Sequence, residues 1–352
     1  MDIQRLENIR KAKELDAILI TDQYNMRYIT GYRGEGMLFY TAYNKYILTD
    51  SRYTEQVEKE CEGYECVDIE SVGYGKTLSK LISRDIRKLG FENNSISYKV
   101  YAGLKNCLTD ISFMELDEEI DKLRMIKDDE EIENLRTAEG IGDAAFSHIL
   151  KYLKPGISEK DIALELEYFM KKNGAEGLSF DTIAASGKNS SMPHAIPTDK
   201  MIENGDFITM DFGCIYQGYC SDMTRTVGIG KLSGMQESVY DIVLKAQLTA
   251  MEAIKPGMMC NEIDKIARNI IRDAGYGNCF GHGLGHSVGL FIHENPRFSP
   301  KCNTVLEPGM VITVEPGIYL PGQFGVRIED LIVVTESGYM NLTASEKNLI
   351  IV

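Results

Sequence analysis

The sequence predicts an α+β protein of two domains, a smaller α/β domain over residues 1–122 and a larger, internally duplicated one over residues 123–352. Three observations predict it. Short apolar strands alternate with helical patterns in the first third, a repeat runs through the remainder, and carboxylates stand at matching ends of the repeated strands. At 352 residues the chain is long enough for two domains with proper cores.

The amino-terminal reading rests on runs such as Ala17-Ile18-Leu19-Ile20 and Lys45-Tyr46-Ile47-Leu48, which read as strands, and on helical patterns such as Leu78 to Leu89. That alternation is the signature of an α/β domain. Leu123-Arg124-Met125-Ile126-Lys127-Asp128-Asp129-Glu130-Glu131 then forms a charged lead into a long helix and marks the boundary.

Beyond it, Lys154-Pro155-Gly156 recurs as Lys255-Pro256-Gly257, each copy followed by a helical pattern that ends at a glycine, Gly174 and Gly275. Ser158 with Asp161 resembles a capping box opening the first of these helices. Ile162, Leu166, Phe169 and Met170 form its core stripe, and Ile263, Ala267, Ile270 and Ile271 repeat that stripe in the second copy. Further on, the segment from Glu203 to Gly213 lines up with Glu307 to Gly317, so that Asp211 falls on Glu315. A second carboxylate follows in each half, Asp222 in one and Glu329 in the other. Two copies point to a pseudo-two-fold domain with a site on its axis, each half contributing a pair of carboxylates.

The local chemistry puts these carboxylates at strand ends. Phe207 to Met210 and Val311 to Val314 are apolar, β-branched runs bounded by glycine or Pro-Gly turns. Because residues two apart on a strand share a face, Thr224 stands beside Asp222 and Arg327 beside Glu329, where the arginine can hold a metal-bound carboxylate in place. Burying an unpaired charge is very costly. Four carboxylates in such positions therefore call for cations, and with one imidazole they can bridge and cap two divalent ions about 3.5–4 Å apart, as in hydrolytic two-metal sites.

Of the five histidines, three lie in the glycine-rich stretch Gly281 to Arg297, namely His282, His286 and His293. His194, in Met192-Pro193-His194-Ala195, is a fourth candidate for the cleft, and spacing alone does not choose among them. His148 falls in a helical stretch and reads as a surface or packing residue.

Met210-Asp211-Phe212-Gly213, Ser221-Asp222-Met223-Thr224-Arg225-Thr226, the His282 to His293 segment, Val314-Glu315-Pro316-Gly317 and Arg327-Ile328-Glu329-Asp330 together resemble the signature of the pita-bread metallopeptidases. Methionine aminopeptidases, Xaa-Pro aminopeptidases and prolidases make up that family. Upstream, Tyr24-Asn25-Met26-Arg27-Tyr28-Ile29-Thr30-Gly31-Tyr32 and Leu48-Thr49-Asp50-Ser51-Arg52-Tyr53 resemble the creatinase-type amino-terminal domain of its proline-specific members, so the resemblance favours the Xaa-Pro branch.

The resemblance implies that Asp211 is terminal on one metal, that His286 and Glu315 lie on the other, and that Asp222 and Glu329 bridge them. It implies His293 as a catalytic histidine, Glu315 as the group that shuttles the water proton, and His194 and His282 as lining the substrate site. It also implies a homodimer. Two metals lower the pKa of bound water, which supplies a bridging hydroxide at neutral pH to attack the carbonyl before proline. Carboxylate-rich ligation with one imidazole suits Mn²⁺ best, with Co²⁺, Fe²⁺ and Zn²⁺ as alternatives. Arg297, four residues after His293, and Arg327, beside Glu329, are the candidates for capturing the free carboxylate of a Xaa-Pro dipeptide, since a guanidinium can make two charge-assisted hydrogen bonds to it; Arg327 already has a role beside a ligand, and the sequence leaves dipeptides and longer peptides both open as substrates. The competing reading is a catalytically silent peptide-binding or scaffold protein of the same fold; the intact ligand set speaks against it.

Composition restricts the partners. A net charge of −15, from 38 basic and 53 acidic residues, argues against nucleic acid or anionic membrane. The eight cysteines form no CxxC pair, the first seven residues lack the apolar core of a leader, and no apolar run approaches the ~20 residues of a membrane span. A cytoplasmic enzyme acting on short peptides with proline second is the expectation.

Overall fold

The computed structural model describes residues 3–70 and 72–352; Met1 and Asp2, the start of the segment read above as lacking a leader core, and Ser71 lie outside them. The chain divides into two compact units, Met1–Arg124 and Met125–Val352.

In the first unit six strands form one mixed sheet, in the order Glu65–Asp68, Lys45–Thr49, Met37–Thr41, Ala17–Ile20, Lys88–Phe91, Ser112–Glu115. Every residue of Ala17–Ile20 is buried because both faces of the sheet are covered. Ile18 and Ile20 point to one side, with Leu6, Met26, Ile29 and Val57 from three helices, while Ala17 and Leu19 point to the other, with Leu78 and Leu104 from two more. The helical pattern expected over Leu78 to Leu89 is realised only in its first turn, as far as Leu81. The helix is Gly73–Leu81, and Lys88–Phe91 is a strand. The Asp16 carboxylate accepts the Arg87 and Lys88 N–H groups at 2.8 Å, and the segment then pairs in parallel with Ala17–Ile20, so strand pairing overrides a locally helical stripe.

In the second unit the repeat becomes two similar halves, each a helix pair laid on strands. Helices Asp129–Ile149 and Glu159–Lys172 cover Ile183–Ser186, Phe207–Phe212 and Met223–Gly228. Helices Gly234–Ala253 and Cys260–Ile271 cover Val311–Val314 and Asp330–Val334. Capping boxes open the first two helices at Asp128 with Glu131 and at Ser158 with Asp161. Backbone conformation repeats as well, Gly156 and Gly257 standing at φ 89° and 87°, where a side chain would be strained. The predicted stripes are core: Ile162, Leu166, Met170, Ile263, Ala267 and Ile271 are all fully buried. His148 donates its Nε2–H to the Glu165 carboxylate at 2.6 Å and stacks on Phe169, the packing role expected of it. All eight cysteines are free, and no described helix is long and apolar enough to cross a membrane.

Arg225 locks the halves to the carboxyl-terminal segment. Its buried guanidinium donates to the carbonyls of Thr224, Glu329, Ser345 and Glu346 and pairs with Asp330 at 2.8 Å. Removing one partner of a buried ion pair costs about 3–5 kcal/mol. Arg225→Met is therefore expected to lose stability on that order in a urea titration, and a midpoint within a tenth of the wild-type value would refute the assignment.

Candidate metal centre

The strands that carry the repeat deliver its carboxylates to one place. Asp211 lies near the end of Phe207–Phe212, opposite Thr224 on one side and Ile183 on the other. Asp222 immediately precedes Met223–Gly228, and its N–H donates to the buried Glu139 at 3.3 Å. Glu329 follows Phe324–Arg327; its N–H donates to the Thr224 carbonyl and its Oε2 accepts the Thr224 hydroxyl at 2.7 Å. His286 sits in Gly285–Ser287 and Glu315 just beyond Val311–Val314. Thr313 joins them, its Oγ1 accepting the His286 N–H at 3.1 Å and donating to Glu315 Oε1 at 3.3 Å. These two strands approach so closely that a Cβ on Gly285 would stand 1.9 Å from the Thr313 carbonyl oxygen. Glycine is required there.

Ligand atoms of Asp222, His286 and Glu329 lie within 4.8 Å of one another. His286 Nε2 is 3.5 Å from Asp222 Oδ2 and 3.6 Å from Glu315 Oε1. Burial and then the neighbouring His293 drive the His286 pKa down to about 3, so the ring is neutral. Its Nδ1 faces the Ser287 carbonyl at 3.2 Å, which can only accept, so Nδ1 carries the proton and Nε2 turns a lone pair towards the carboxylates. Burial pushes Glu315 up to about 8 and raises Asp222 and Glu329 well above the ordinary carboxylate value, with repulsion from Glu329 adding to the rise of Asp222 and repulsion from Glu315 and Asp211 to that of Glu329. Asp211 Oδ1 is buried with no hydrogen-bond partner. Hard oxygen donors, one imidazole lone pair, an orphaned carboxylate oxygen and repulsion in want of positive charge fit divalent cations.

The remaining residues singled out in the sequence line the same cavity of about 770 Å³: His194, His282, His293, Arg297 and Arg327, with Asp211, Asp222, His286, Glu315 and Glu329. Arg327 behaves differently from its expected place beside Glu329. Its guanidinium reaches from the hairpin Gly317–Leu320/Phe324–Arg327 to Asp211 Oδ2 at 2.6 Å on another sheet, and Glu329 is held by Thr224 instead. Tyr319 was not singled out and links two residues that were. His282 Nδ1–H donates to the Gly283 carbonyl at 2.8 Å, leaving Nε2 to accept the Tyr319 hydroxyl at 2.9 Å, which in turn accepts from Arg327 Nη1 at 2.9 Å. Burial lowers the His282 pKa to about 4, so this ring is neutral too. The His286 to His293 turn is braced by a buried ion pair, Lys127 Nζ donating to Glu294 Oε2 at 3.1 Å and to Ser287 Oγ at 3.0 Å. The rings of His286 and His293 stand edge to face at 4.6 Å, with the His293 side chain towards the opening. Of the unforeseen residues Glu139 alone leaves a trace in sequence, as a charge on the helix face of Leu135, Gly142 and Phe146.

A buried carboxylate and imidazole cluster at the floor of a peptide-sized cavity is the equipment of a metal-dependent hydrolase. The chain belongs to metallopeptidase family M24, whose sequence profile it matches over residues 133–336; residues 3–126 match the creatinase/prolidase amino-terminal domain. It is a peptidase of a family that uses divalent metal. Among similar proteins, the Xaa-Pro dipeptidase of Pyrococcus furiosus is 41% identical over 99% of each chain. Among solved structures, an Xaa-Pro dipeptidase from Bacillus anthracis superposes with a TM-score of 0.95 at 44% identity, covering 100% of both chains. An X-Pro aminopeptidase from Thermotoga maritima gives 0.90 at 37% identity, over 98% of this chain and 100% of that one.

Proposed function

We propose that this protein hydrolyses the peptide bond between an amino-terminal residue and a following proline, with Xaa-Pro dipeptides as its principal substrates. The likeness to Xaa-Pro peptidases supports the bond, and one observation supports the length. The Arg297 side chain lines the cavity but makes no hydrogen bond or ion pair among the described residues, leaving its fork free for a substrate carboxylate. Only in a dipeptide does that carboxylate lie directly on the proline.

Asp211, Asp222, His286, Glu315 and Glu329 would hold two divalent ions, with Mn²⁺ favoured by the oxygen-rich set and Co²⁺, Fe²⁺ and Zn²⁺ as competitors. When bound, such ions supply an acidified water and polarise the scissile carbonyl. The residues do the rest. Glu315, as the resemblance implies, would take a proton from the water and give it to the departing amine. His293 and His194 offer N–H donors on the open side of the cluster, where negative charge gathers on the carbonyl oxygen. Arg327, held by Tyr319 and Thr224, fixes Asp211, and His282 is fixed by the same tyrosine. A homodimer working in the cytoplasm completes the reading.

The deciding experiment compares Ala-Pro with Ala-Pro-Ala in the presence of Mn²⁺ and identifies the products. Dipeptide turnover should dominate, and Arg297→Ala should raise its KM by about 10- to 100-fold, the worth of a hydrogen bond to a charged group, with little effect on the tripeptide. Equal tripeptide turnover, indifferent to Arg297, would make the protein an aminopeptidase. Efficient removal of methionine before a residue other than proline would overturn the Xaa-Pro reading itself.

A further inference from the structure

Glu159 opens the helix Glu159–Lys172 and is completely buried, yet the chemistry above makes no use of it. Its carboxylate is occupied by a different task. Oε1 accepts the Ser186 N–H at 2.7 Å, the Ser186 hydroxyl at 2.8 Å and Asn189 Nδ2 at 3.0 Å. Oε2 accepts Asn189 Nδ2 at 3.1 Å, the Thr198 N–H at 3.0 Å and the Thr198 hydroxyl at 2.6 Å. One carboxylate thus joins the beginning and the end of the segment 186–198.

That segment is part of the cavity wall, to which it contributes Pro193, His194, Ala195, Ile196 and Pro197. The His194 side chain is exposed and makes no hydrogen bond or ion pair among the described residues, so no polar contact of its own fixes it and its place follows that of its backbone. On the side facing the site the backbone is held by Arg327 Nη1, which donates to the Pro193 carbonyl at 3.2 Å, and by Ser190 Oγ, which accepts the Gly325 N–H at 2.9 Å. Glu159 is the anchor at the base. Without it, the closure of the loop would have to be met from the remaining contacts, against the entropy of a freed chain.

An acceptor with two equivalent oxygens is essential here. A glutamine of the same shape would turn an amide N–H₂ towards either the Ser186 or the Thr198 N–H, two donors that cannot rotate away. Resting on the proposed Xaa-Pro hydrolysis, we propose that Glu159 is a positioning residue that holds His194 in place by tying the two ends of its loop together.

The test uses Glu159→Gln and, as a milder variant, Asn189→Ala, each alone and combined with His194→Ala, all in the full Mn²⁺-loaded chain. Two readouts are taken: kcat/KM on Ala-Pro, and amide hydrogen exchange of residues 187–198. Glu159→Gln should lower kcat/KM about tenfold or more by misplacing one charge-stabilising donor, yet change it less than about twofold when His194 is already alanine, because the two residues act as one unit. Exchange in the loop should rise while bound metal stays at the wild-type level. Equal losses in both backgrounds, or unchanged loop exchange, would overturn the proposal. Should Glu159→Gln fail to fold, Asn189→Ala decides by the same criteria. Wild-type protein inert on Xaa-Pro substrates would sink the functional reading alone, and the exchange measurement would then decide the tether by itself, a rise supporting it and no change refuting it.

Discussion

Stripping divalent cations with a chelator is expected to abolish Xaa-Pro hydrolysis, and Mn²⁺ or Co²⁺ to restore it at close to two ions per chain. The electrostatics behind this make a second, independent expectation. Burial lifts Glu315 to about 8 and raises Asp222 and Glu329 as well, so in the stripped protein these carboxyls hold protons that an unfolded chain would release. Groups whose folded pKa is raised contribute stability in full below the unfolded carboxylate value of 4.5, and lose it as pH climbs to the folded value. Cations act in the opposite sense, binding more tightly as their ligands deprotonate. The gap in melting temperature between loaded and stripped protein should therefore widen from about pH 6 to about pH 8. Full activity in thoroughly stripped enzyme, or a gap that narrows with pH, would refute the metal assignment.

Glu315→Gln is expected to lower kcat by about two to four powers of ten, the range of a general acid–base group, and to weaken metal retention because an amide brings no charge. His293→Ala should lose about 10²–10³ in kcat with metal content intact, as for a single donor to a developing oxyanion. Metal content and kinetics must come from the same preparations, because a Glu315 variant that merely lost metal would be rescued by excess Mn²⁺. Such rescue would leave Glu315 a ligand and nothing more. Wild-type turnover in His293→Ala would remove that histidine from the mechanism.

The carboxylates were legible because duplication repeats a local arrangement, an apolar strand that ends in an acid, and both strand and acid are properties of a few consecutive residues. Arg327 was legible as a partner of a ligand but not of the right one, since alternation along a strand says which face a side chain takes and not which neighbouring strand it crosses to. Tyr319 was invisible for the same reason: its two partners, His282 and Arg327, lie 37 and 8 positions away. Glu159 reads as an ordinary first-turn acid at a helix start, where negative charge is favourable anyway. Only the return of residues 186 and 198 to the same carboxylate sets it apart. At Lys88 and Leu89, the end of the stretch expected to be helical, the reading failed, because pairing with Ala17–Ile20 made them part of a strand.

The approach of Gly285 to Thr313 has a consequence for how such an enzyme diversifies. Around the metal-facing turn almost nothing can change: a methyl group on Gly285 would collide with a carbonyl, and one on Gly289 would stand 2.6 Å from the Glu294 carboxylate that Lys127 holds. The opposite wall is built from Phe180, Ile183 and Ile196, and Ile196 is 81% exposed, with room to be exchanged at little expense in stability. Tolerance here is unequal, with the glycine turn frozen and Ile196 open to exchange. Exchange at Ile196 is therefore the expected route to an altered peptide preference, while the carboxylate cluster stays as it is.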